Sequence, residues 1–239
     1  MHHVGPCGGS GRSLWPGKPA FASRLAGRTL VQMGTTAPGY SCALGAEIAA
    51  VGGHYVELPV SGSTGPAAQG ALVAMAAGDP EDIVRITPLV DPMVSALIPC
   101  GTVPKALQMK LAVNAYLAGL FGGLVEAVDL AEASALHLST LQKILEAVPM
   151  SIDLMRMKPP KLIEGKLIEG EFSPQGSIRQ SVNNLRMITE AGAELDAPMP
   201  VNSVLHAMFE EAKEAGLADE DMVAISTVLR GRRTKAGTD

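Results

Sequence analysis

Residues 57–78 read ELPVSGSTGPAAQGALVAMAAG, and this stretch decides the fold. An apolar run breaks at the Ser-Gly-Ser of residues 61–63, and a second apolar run follows at residues 71–76. Short apolar runs bounded by glycine, proline and serine are typical of buried strands. Binding and catalytic side chains concentrate on loops that such rigid elements hold. The stretch therefore predicts two strands with a candidate binding loop between them.

Apolar runs alternate with helical segments around this stretch, from Thr29 to about Pro104, and only helical segments follow. Such alternation indicates a parallel sheet with helices packed on it. We expect an α/β unit that continues through one long helix into an all-α unit. The predicted strands are residues 30–33, 55–60, 71–76 and 96–99, and the predicted helices are residues 40–51, 79–89, 105–135, 141–148, 178–191, 201–215 and 219–229.

Two of these helices carry start signals. Asp79 before Pro80 is typical of an N-cap followed by a first-turn proline. Ser139 with Gln142 three residues later predicts a capping box for the helix at 141–148.

The composition of the 239 residues excludes several classes of protein. Apolar residues make up 47% and charged residues 18%, which predicts a dry core and argues against disorder. The net charge of −5 gives no electrostatic reason to bind nucleic acid. Cys7, Cys42 and Cys100 are too scattered for a disulfide framework or a zinc site, which favours the cytoplasm. The longest uncharged stretch, residues 111–125, is shorter than the roughly 20 residues of a membrane span and predicts a buried helix.

Residues 1–28 differ from the rest of the chain. They are rich in glycine, serine, proline and arginine, contain the only tryptophan, Trp15, and carry no acidic residue. We interpret them as a disordered or non-family leader. An organellar transit peptide is the alternative, although glycine and proline disfavour the amphipathic helix that it needs.

The sequence KLIEG at residues 161–165 is repeated at once at residues 166–170. Five residues added inside a helix would rotate everything beyond them by roughly 140°. The glycines favour a looped-out local duplication over a repeat architecture.

No glycine-rich phosphate loop is present in the sequence. Neither GxGxxG nor the P-loop pattern occurs, and the nearest candidate, Gly9-Ser10-Gly11, has Leu14 in place of the third glycine and follows no strand. A dinucleotide-binding fold normally binds pyrophosphate at its first strand–helix turn. That turn cannot be identified here.

Lys110 and Asn114 are spaced four residues apart in the predicted long helix, which puts them on one face. One interpretation is a lysine whose stem packs along the helix beside a packing asparagine. The other is a general acid/base lysine with an amide that orients a substrate oxygen. The second requires the pKa of Lys110 to fall from about 10.4 toward about 7–8, which only burial and nearby dipoles can bring about.

Three interpretations of the loop at residues 61–65 are open. It is a plain strand–helix turn, a loop that carries binding or catalytic groups, or a nucleophile elbow with Ser63 at its centre. The elbow pattern GxSxG fails because Ser61 replaces the first glycine. A serine hydrolase would also need His137 or His206 as its base, and neither has a suggestive sequence context.

Several motifs together resemble those of the β-hydroxyacid dehydrogenases, of the 3-hydroxyisobutyrate dehydrogenase and glyoxylate/succinic semialdehyde reductase type. Residues 57–63 (ELPVSGS) are similar to the substrate-loop signature of that family, and residues 110–114 (KLAVN) to its catalytic Lys-x-x-x-Asn. Residues 33–38 (MGTTAP) are similar to its strand-end Ser-Thr-x-x-Pro, and residues 216–225 to its C-terminal segment. The resemblance covers residues 29–230.

The resemblance implies a fold, a reaction and a set of roles. The fold is an incomplete Rossmann-like (doubly wound) domain at 29–103 followed by an all-α dimerisation and substrate domain at 104–239. The reaction is hydride transfer between the nicotinamide of NAD or NADP and a small β-hydroxy acid or aldehydo-acid, in a homodimer or higher homo-oligomer. The implied residues are Lys110 as general acid/base, Asn114 on the reacting oxygen, Ser61, Gly62 and Ser63 on the substrate carboxylate, and Thr35 and Asn183 on the cofactor.

Two departures from the family pattern affect cofactor binding. Asn183-Asn184 stand where the family has Lys-Asp, which removes a positive charge. A βαβαβ half takes upward of about 60 residues, whereas 28 residues precede Thr29, so the first dinucleotide-binding half is expected to be missing. Either the chain is a working reductase whose true start lies upstream, or it is a catalytically inactive dimerisation or binding module.

Overall fold

The structure is a computed structural model that describes residues 20–147 and 176–236. The chain divides into two compact units, Met1–Lys110 and Leu111–Asp239. The first unit holds a sheet with helices and the second is helical, as the α/β-then-α prediction required. The duplicated KLIEG segment lies outside the described residues.

Residues 20–104, the described part of the first unit before the long helix, form five strands and four α-helices. The strands are β1 (Thr29–Gln32), β2 (His54–Glu57), β3 (Val60–Ser61), β4 (Leu72–Ala77) and β5 (Val94–Gly101). The helices are α1 (Ala20–Leu25), α2 (Pro38–Ala50), α3 (Thr64–Ala68) and α4 (Pro80–Val90), the last followed by a 3-10 turn at Asp91–Met93.

The sheet is mixed, so the prediction of a parallel sheet is correct for only part of it. β1 pairs with β2 in parallel and β4 with β5 in parallel, but β3 and the end of β2 meet β4 antiparallel. Only ten residues separate β3 from β4, and a parallel pairing would need a crossover of about a dozen or more. The predicted strand 55–60 is also interrupted, because Pro59 has no N–H to donate to the ladder.

Both faces of the sheet carry apolar clusters. Tyr55 packs with Leu44 and Ile48 of α2 on one face, and the next residue, Val56, packs with Ile86 and other residues on the opposite face. Successive side chains of a strand point to opposite faces. β2 is therefore buried on both sides, as expected of a central strand in a helix-covered sheet.

The predicted disordered leader, residues 1–28, is wrong for its last part. Ala20–Leu25 form α1, and Phe21 and Leu25, four residues apart on one helix face, are buried beside Ile48. These apolar contacts stabilise the helix, and the glycine-rich composition of residues 1–28 gave no indication of them. Residues 1–19 lie outside the described residues.

The long helix α5 runs over Lys105–Ala133 and continues from the first unit into the second. Phe121 of α5 packs against Phe209, with ring centroids 6.3 Å apart. A Cβ at Gly122 would lie 2.6 Å from Leu205 Cδ2, so this glycine permits the close packing of Leu205 against α5. The other elements that the structure describes in the second unit are α6 (Leu138–Ala147), α7 (Ile178–Glu194), α8 (Pro200–Ala212), a π-helical turn at Lys213–Leu217, a 3-10 turn at Met222–Ile225 and α9 (Ser226–Ala236).

The two predicted helix starts have different outcomes. The Asp79 side chain accepts a hydrogen bond from the Glu81 N–H at 2.8 Å, which confirms that N-cap. The capping box at Ser139 is wrong, because the helix already begins at Leu138. A capping box forms instead at Ser177, whose side chain accepts from the Gln180 N–H while the Gln180 side chain accepts from the Ser177 N–H.

Helix α5 is long and apolar enough to cross a membrane by length and composition alone. A third of its most apolar 18-residue window is buried within the protein. Core helices of globular proteins meet the same criterion, so we interpret α5 as the central helix of the second unit, where it supplies Phe121, Leu124 and Val128 to the core.

Candidate active site

The carboxyl ends of β1 and β2 define one edge of the sheet. Gln32 lies opposite Glu57 in the parallel register, and the Leu58 N–H donates to the Gln32 carbonyl at 2.8 Å. Residues 33–36 therefore leave the sheet beside Leu58, and the chain after Leu58 continues through Pro59 into β3. This is the edge at which open α/β sheets bind their ligands.

The Ser-Gly-Ser loop lies at this edge and is tightly constrained. Ser61 ends β3 opposite Val73, and Gly62 has a φ of +135°, where a Cβ would lie 2.6 Å from Leu72 Cδ2. Only glycine fits there. Ser63 precedes α3, and its buried Oγ has no hydrogen-bond partner among the residues that the structure describes.

The segment after β1 carries Thr35 and Thr36, both half-buried. The Oγ1 atom of Thr36 is buried, and no described residue bonds to it. Helix α2 begins two residues later at Pro38 without a side-chain cap. Unpaired hydroxyls followed by uncapped helical N–H groups suit the ribose and phosphate groups of a nucleotide.

Lys110 is buried in the second turn of α5, with only 8% of the residue exposed. Ala106, Leu107 and Leu111 beside it are also buried. Its ammonium group makes no hydrogen bond or ion pair within residues 20–147 and 176–236. Burial lowers the pKa of Lys110 below its ordinary value. The group is therefore placed to exchange a proton nearer neutrality than a surface lysine can.

Asn114 and Asn183 belong to the second unit. Asn114 follows Lys110 by one turn of α5 and is half-buried, and Asn183 lies on α7 and is exposed. The first unit thus brings Thr35, the Ser-Gly-Ser loop and the start of α5 to one sheet edge, while the two asparagines are positioned by helices of the second unit.

Glu57 is a residue of this site to which sequence reasoning assigned no role. Its side chain is fully buried at the end of β2. Ser41 Oγ donates to Glu57 Oε1, and the backbone N–H of Leu107 donates to Glu57 Oε2 at 3.3 Å. Burial raises the pKa of Glu57, and these hydrogen bonds oppose that effect. An acidic residue at the end of a buried strand run was the available signal.

Tyr55 completes this buried network. Its hydroxyl lies 2.7 Å from Ser41 Oγ, and because the serine proton is donated to Glu57, the Tyr55 hydroxyl is the donor to Ser41. Burial raises the pKa of Tyr55 to about 12, so the phenol remains protonated. The order of donation is therefore Tyr55 to Ser41 to Glu57.

The described residues give no support to a hydrolase or a metal site. The Ser63 hydroxyl has no base bonded to it, His137 is exposed, and His206 lies 3.7 Å from Glu210 of its own helix. A serine nucleophile requires a base within hydrogen-bond reach. Among the same residues, no group of three or more histidine, cysteine, aspartate or glutamate side chains could hold a metal ion.

Together these features define a Rossmann-like, dinucleotide-binding class of protein with an appended helical domain. Residues 12–102 match the NAD binding domain of 6-phosphogluconate dehydrogenase, and residues 105–229 match the family described as NAD-binding of NADP-dependent 3-hydroxyisobutyrate dehydrogenase. The second match alone covers more than half of the chain. The chain belongs to the β-hydroxyacid dehydrogenase family, which confirms the resemblance, and NAD or NADP is the cofactor that belongs with these domains.

Individual relatives agree with this assignment. The chain is 28% identical over 207 residues to glyoxylate/succinic semialdehyde reductase 1 of Arabidopsis thaliana, covering 87% of this chain and 70% of the relative. It is 28% identical over 203 residues to the cytokine-like nuclear factor N-PAC of Drosophila melanogaster, covering 84% of this chain and 33% of the relative. The fold is similar to that of Mycobacterium tuberculosis 3-hydroxyisobutyrate dehydrogenase, with a TM-score of 0.74 at 24% identity over 84% of this chain and 70% of that one.

Proposed function

We propose that this chain transfers a hydride between the nicotinamide of NAD or NADP and a small β-hydroxy acid or aldehydo-acid, with Lys110 as general acid/base. The observation that carries the proposal is the state of Lys110, buried three residues after the Leu107 that bonds to Glu57, with no partner among the described residues and with its pKa lowered by burial. A lysine held only for structure would more often keep its ammonium in water.

Lys110 donates a proton in one direction of the reaction and accepts it in the other. During reduction, the ammonium donates a proton to the carbonyl oxygen as that carbon gains a hydride, and the oxygen becomes a hydroxyl. During oxidation, the neutral amine accepts the hydroxyl proton as the carbon loses a hydride and the carbonyl forms. The nicotinamide supplies or accepts the hydride when it is bound.

The remaining site residues bind and orient. Ser61, Gly62 and Ser63 offer hydroxyl and backbone N–H groups to the substrate carboxylate, and the unpaired hydroxyl of Ser63 supports this role. Asn114 orients the reacting oxygen. Thr35 contacts the nicotinamide ribose and Asn183 the cofactor. The names of relatives, which include 2-(hydroxymethyl)glutarate dehydrogenase and 3-sulfolactaldehyde reductase, support small acids as the substrate class.

A second candidate function is a catalytically inactive dimerisation or binding module. The 239-residue sequence contains no GxGxxG phosphate loop, and Asn183-Asn184 replace the Lys-Asp pair. Relatives named cytokine-like nuclear factor, of which the chain spans about a third, also favour keeping this alternative. In either case we propose that the chain forms a homodimer or higher homo-oligomer through the helical unit. The exposed apolar side chains of Leu130 and Val204 support this proposal. Light scattering measures the oligomeric state.

Binding and turnover separate the two candidates. The chain is titrated with NADH and with NADPH, and turnover is then assayed with 3-hydroxyisobutyrate, glyoxylate and succinic semialdehyde. Saturable binding with turnover that Lys110→Met abolishes supports the oxidoreductase. Absence of cofactor binding in a folded chain supports the inactive module, and turnover that survives Lys110→Met refutes the role of the lysine.

A further inference from the structure

The helix that carries Lys110 begins in a buried place without a cap of its own. The Gln108 N–H donates to the Pro104 carbonyl, so Pro104 is the N-cap residue of α5. Proline has no side-chain oxygen with which to accept the unpaired N–H groups of the first turn. Ala106 and Leu107 at this turn are fully buried, so water cannot replace the missing partner.

Glu57 supplies that partner from another element. Its Oε2 accepts from the Leu107 N–H at 3.3 Å, and the backbone of Ala106 acts with that of Leu107 to oppose the rise in the pKa of Glu57. The carboxylate is favoured at the positive end of the helix dipole. A strand residue thus provides, across fifty positions of sequence, what a serine or aspartate cap normally provides within the helix.

The opposite side of the carboxylate is held in turn. Ser41 of α2 donates to Glu57 Oε1, and Tyr55 of β2 bonds to Ser41. Gly45, one turn after Ser41, would bring a Cβ to 2.9 Å from the Tyr55 ring, so the side chains are tightly fitted. The carboxyl group therefore ties α2, β2 and α5 to one another.

We propose that Glu57 is a positioning residue that fixes the first turn of α5 and thereby sets the place and the water access of the Lys110 ammonium. Leu107 precedes Lys110 by three residues, so movement of this turn carries Lys110 with it. The inference rests on the proposed function only for the importance of Lys110. Its test uses readouts that require neither cofactor nor turnover.

The test compares Glu57→Gln with the wild type in two measurements. NMR-detected exchange follows the amides of Ala106 and Leu107, and pH-dependent labelling with acetic anhydride and mass spectrometry follows the pKa of Lys110. Lys105 is an internal reference, because it is exposed on the same helix. Glu57→Gln replaces the charge-assisted bond to the Leu107 N–H with a neutral and weaker one, and its NH2 group can donate to Ser41 only if the Ser41 hydroxyl turns its proton toward Tyr55.

We expect Glu57→Gln to accelerate exchange at Leu107 by about tenfold, and the pKa of Lys110 to rise as water enters. Asp82→Asn is the matched control, since Asp82 is a buried carboxylate of the same unit that pairs with His54 and Arg85, and within the described residues it makes no hydrogen bond to α5. It is expected to leave both readouts unchanged.

Two results would overturn the proposal. One is unchanged exchange and an unchanged Lys110 pKa in Glu57→Gln, and the other is an equal effect of Asp82→Asn, which would show general loosening. If Glu57→Gln does not fold, Ser41→Ala removes one bond to the carboxylate, and unchanged exchange at Leu107 in that variant refutes the proposal. Failure to find turnover would concern only the proposed function, because neither readout depends on it.

Discussion

Replacing Lys110 with methionine is expected to raise stability while it lowers activity. The lysine is 8% exposed, so nearly all of its stem already packs against protein. Methionine keeps an unbranched apolar side chain and removes the ammonium, whose desolvation opposes folding. We expect the free energy of unfolding at pH 7 to rise by about 1 kcal/mol or more, which corresponds to about 2–4 °C in Tm for a chain of this size.

The pH dependence of this gain identifies its cause. Burial lowers the pKa of Lys110 in the folded state, so between that pKa and about 10.4 the unfolded chain binds more protons. Wild-type stability contributed by this group therefore increases as pH rises through that window, and the advantage of Lys110→Met shrinks. Urea unfolding of both proteins at pH 7, 8, 9 and 10 measures the difference, in which contributions of groups common to both cancel.

Lys105→Met is the matched control, because Lys105 is exposed in the first turn of the same helix. Its stability should stay within about 0.5 kcal/mol of the wild type. In an active preparation, Lys110→Met should lower kcat by about 10²–10⁴-fold, and Lys105→Met should not. A variant at position 110 that is less stable than the wild type at pH 7, or a difference that does not change with pH, would refute the reasoning.

Three further predictions concern the loop, the alternative chemistry and the helical unit. Gly62→Ala should destabilise the protein by about 1–3 kcal/mol in urea unfolding, because of its φ and the contact with Leu72, whereas Gly65→Ala has no heavy atom within 4 Å of the new Cβ and should be nearly neutral. A fluorophosphonate should label neither Ser61 nor Ser63 by mass spectrometry, and stoichiometric labelling would restore the hydrolase hypothesis. Arg230→Gln should cost about 1.5 kcal/mol or more, since Arg230 binds both Glu132 oxygens at 3.0 and 2.6 Å in a partly buried place. Arg179 and Asp219 form an exposed pair, so Arg179→Gln should lower the free energy of unfolding by less than about 1 kcal/mol. Equal losses in Arg230→Gln and Arg179→Gln would contradict the burial argument.

The longer helices were predictable because their signals are local. The uncharged stretch of α5 and the cap at Asp79 lie within or next to the helices that they define. The direction of β3 relative to β4 was predicted wrongly, because the alternation of strands and helices favoured a parallel sheet, although ten residues are too few for a parallel crossover. The burial of Phe21 was also hidden, since its partner Ile48 lies 27 positions away.

The candidate site divides in the same way. The sequence predicted that Lys110 and Asn114 share one helix face. It also predicted the loop that contains Gly62. The burial of Lys110 and its lack of partners could not, because they depend on neighbours from separate elements. The bond between Glu57 and the Leu107 N–H could not be predicted from the sequence either. The two residues are fifty positions apart, and nothing near Pro104 indicates that a strand residue supplies the cap.

Glu57 and Lys110 contribute to the stability of the first unit with opposite dependences on pH. The raised pKa of Glu57 means that its contribution to stability falls as pH rises above about 4.5, while the contribution of Lys110 recovers only toward alkaline pH. Their combined contribution is therefore lowest between these windows, when both groups are charged. Proteases that cleave the transiently opened chain should act fastest there, and any ligand that binds only the folded form should slow that degradation.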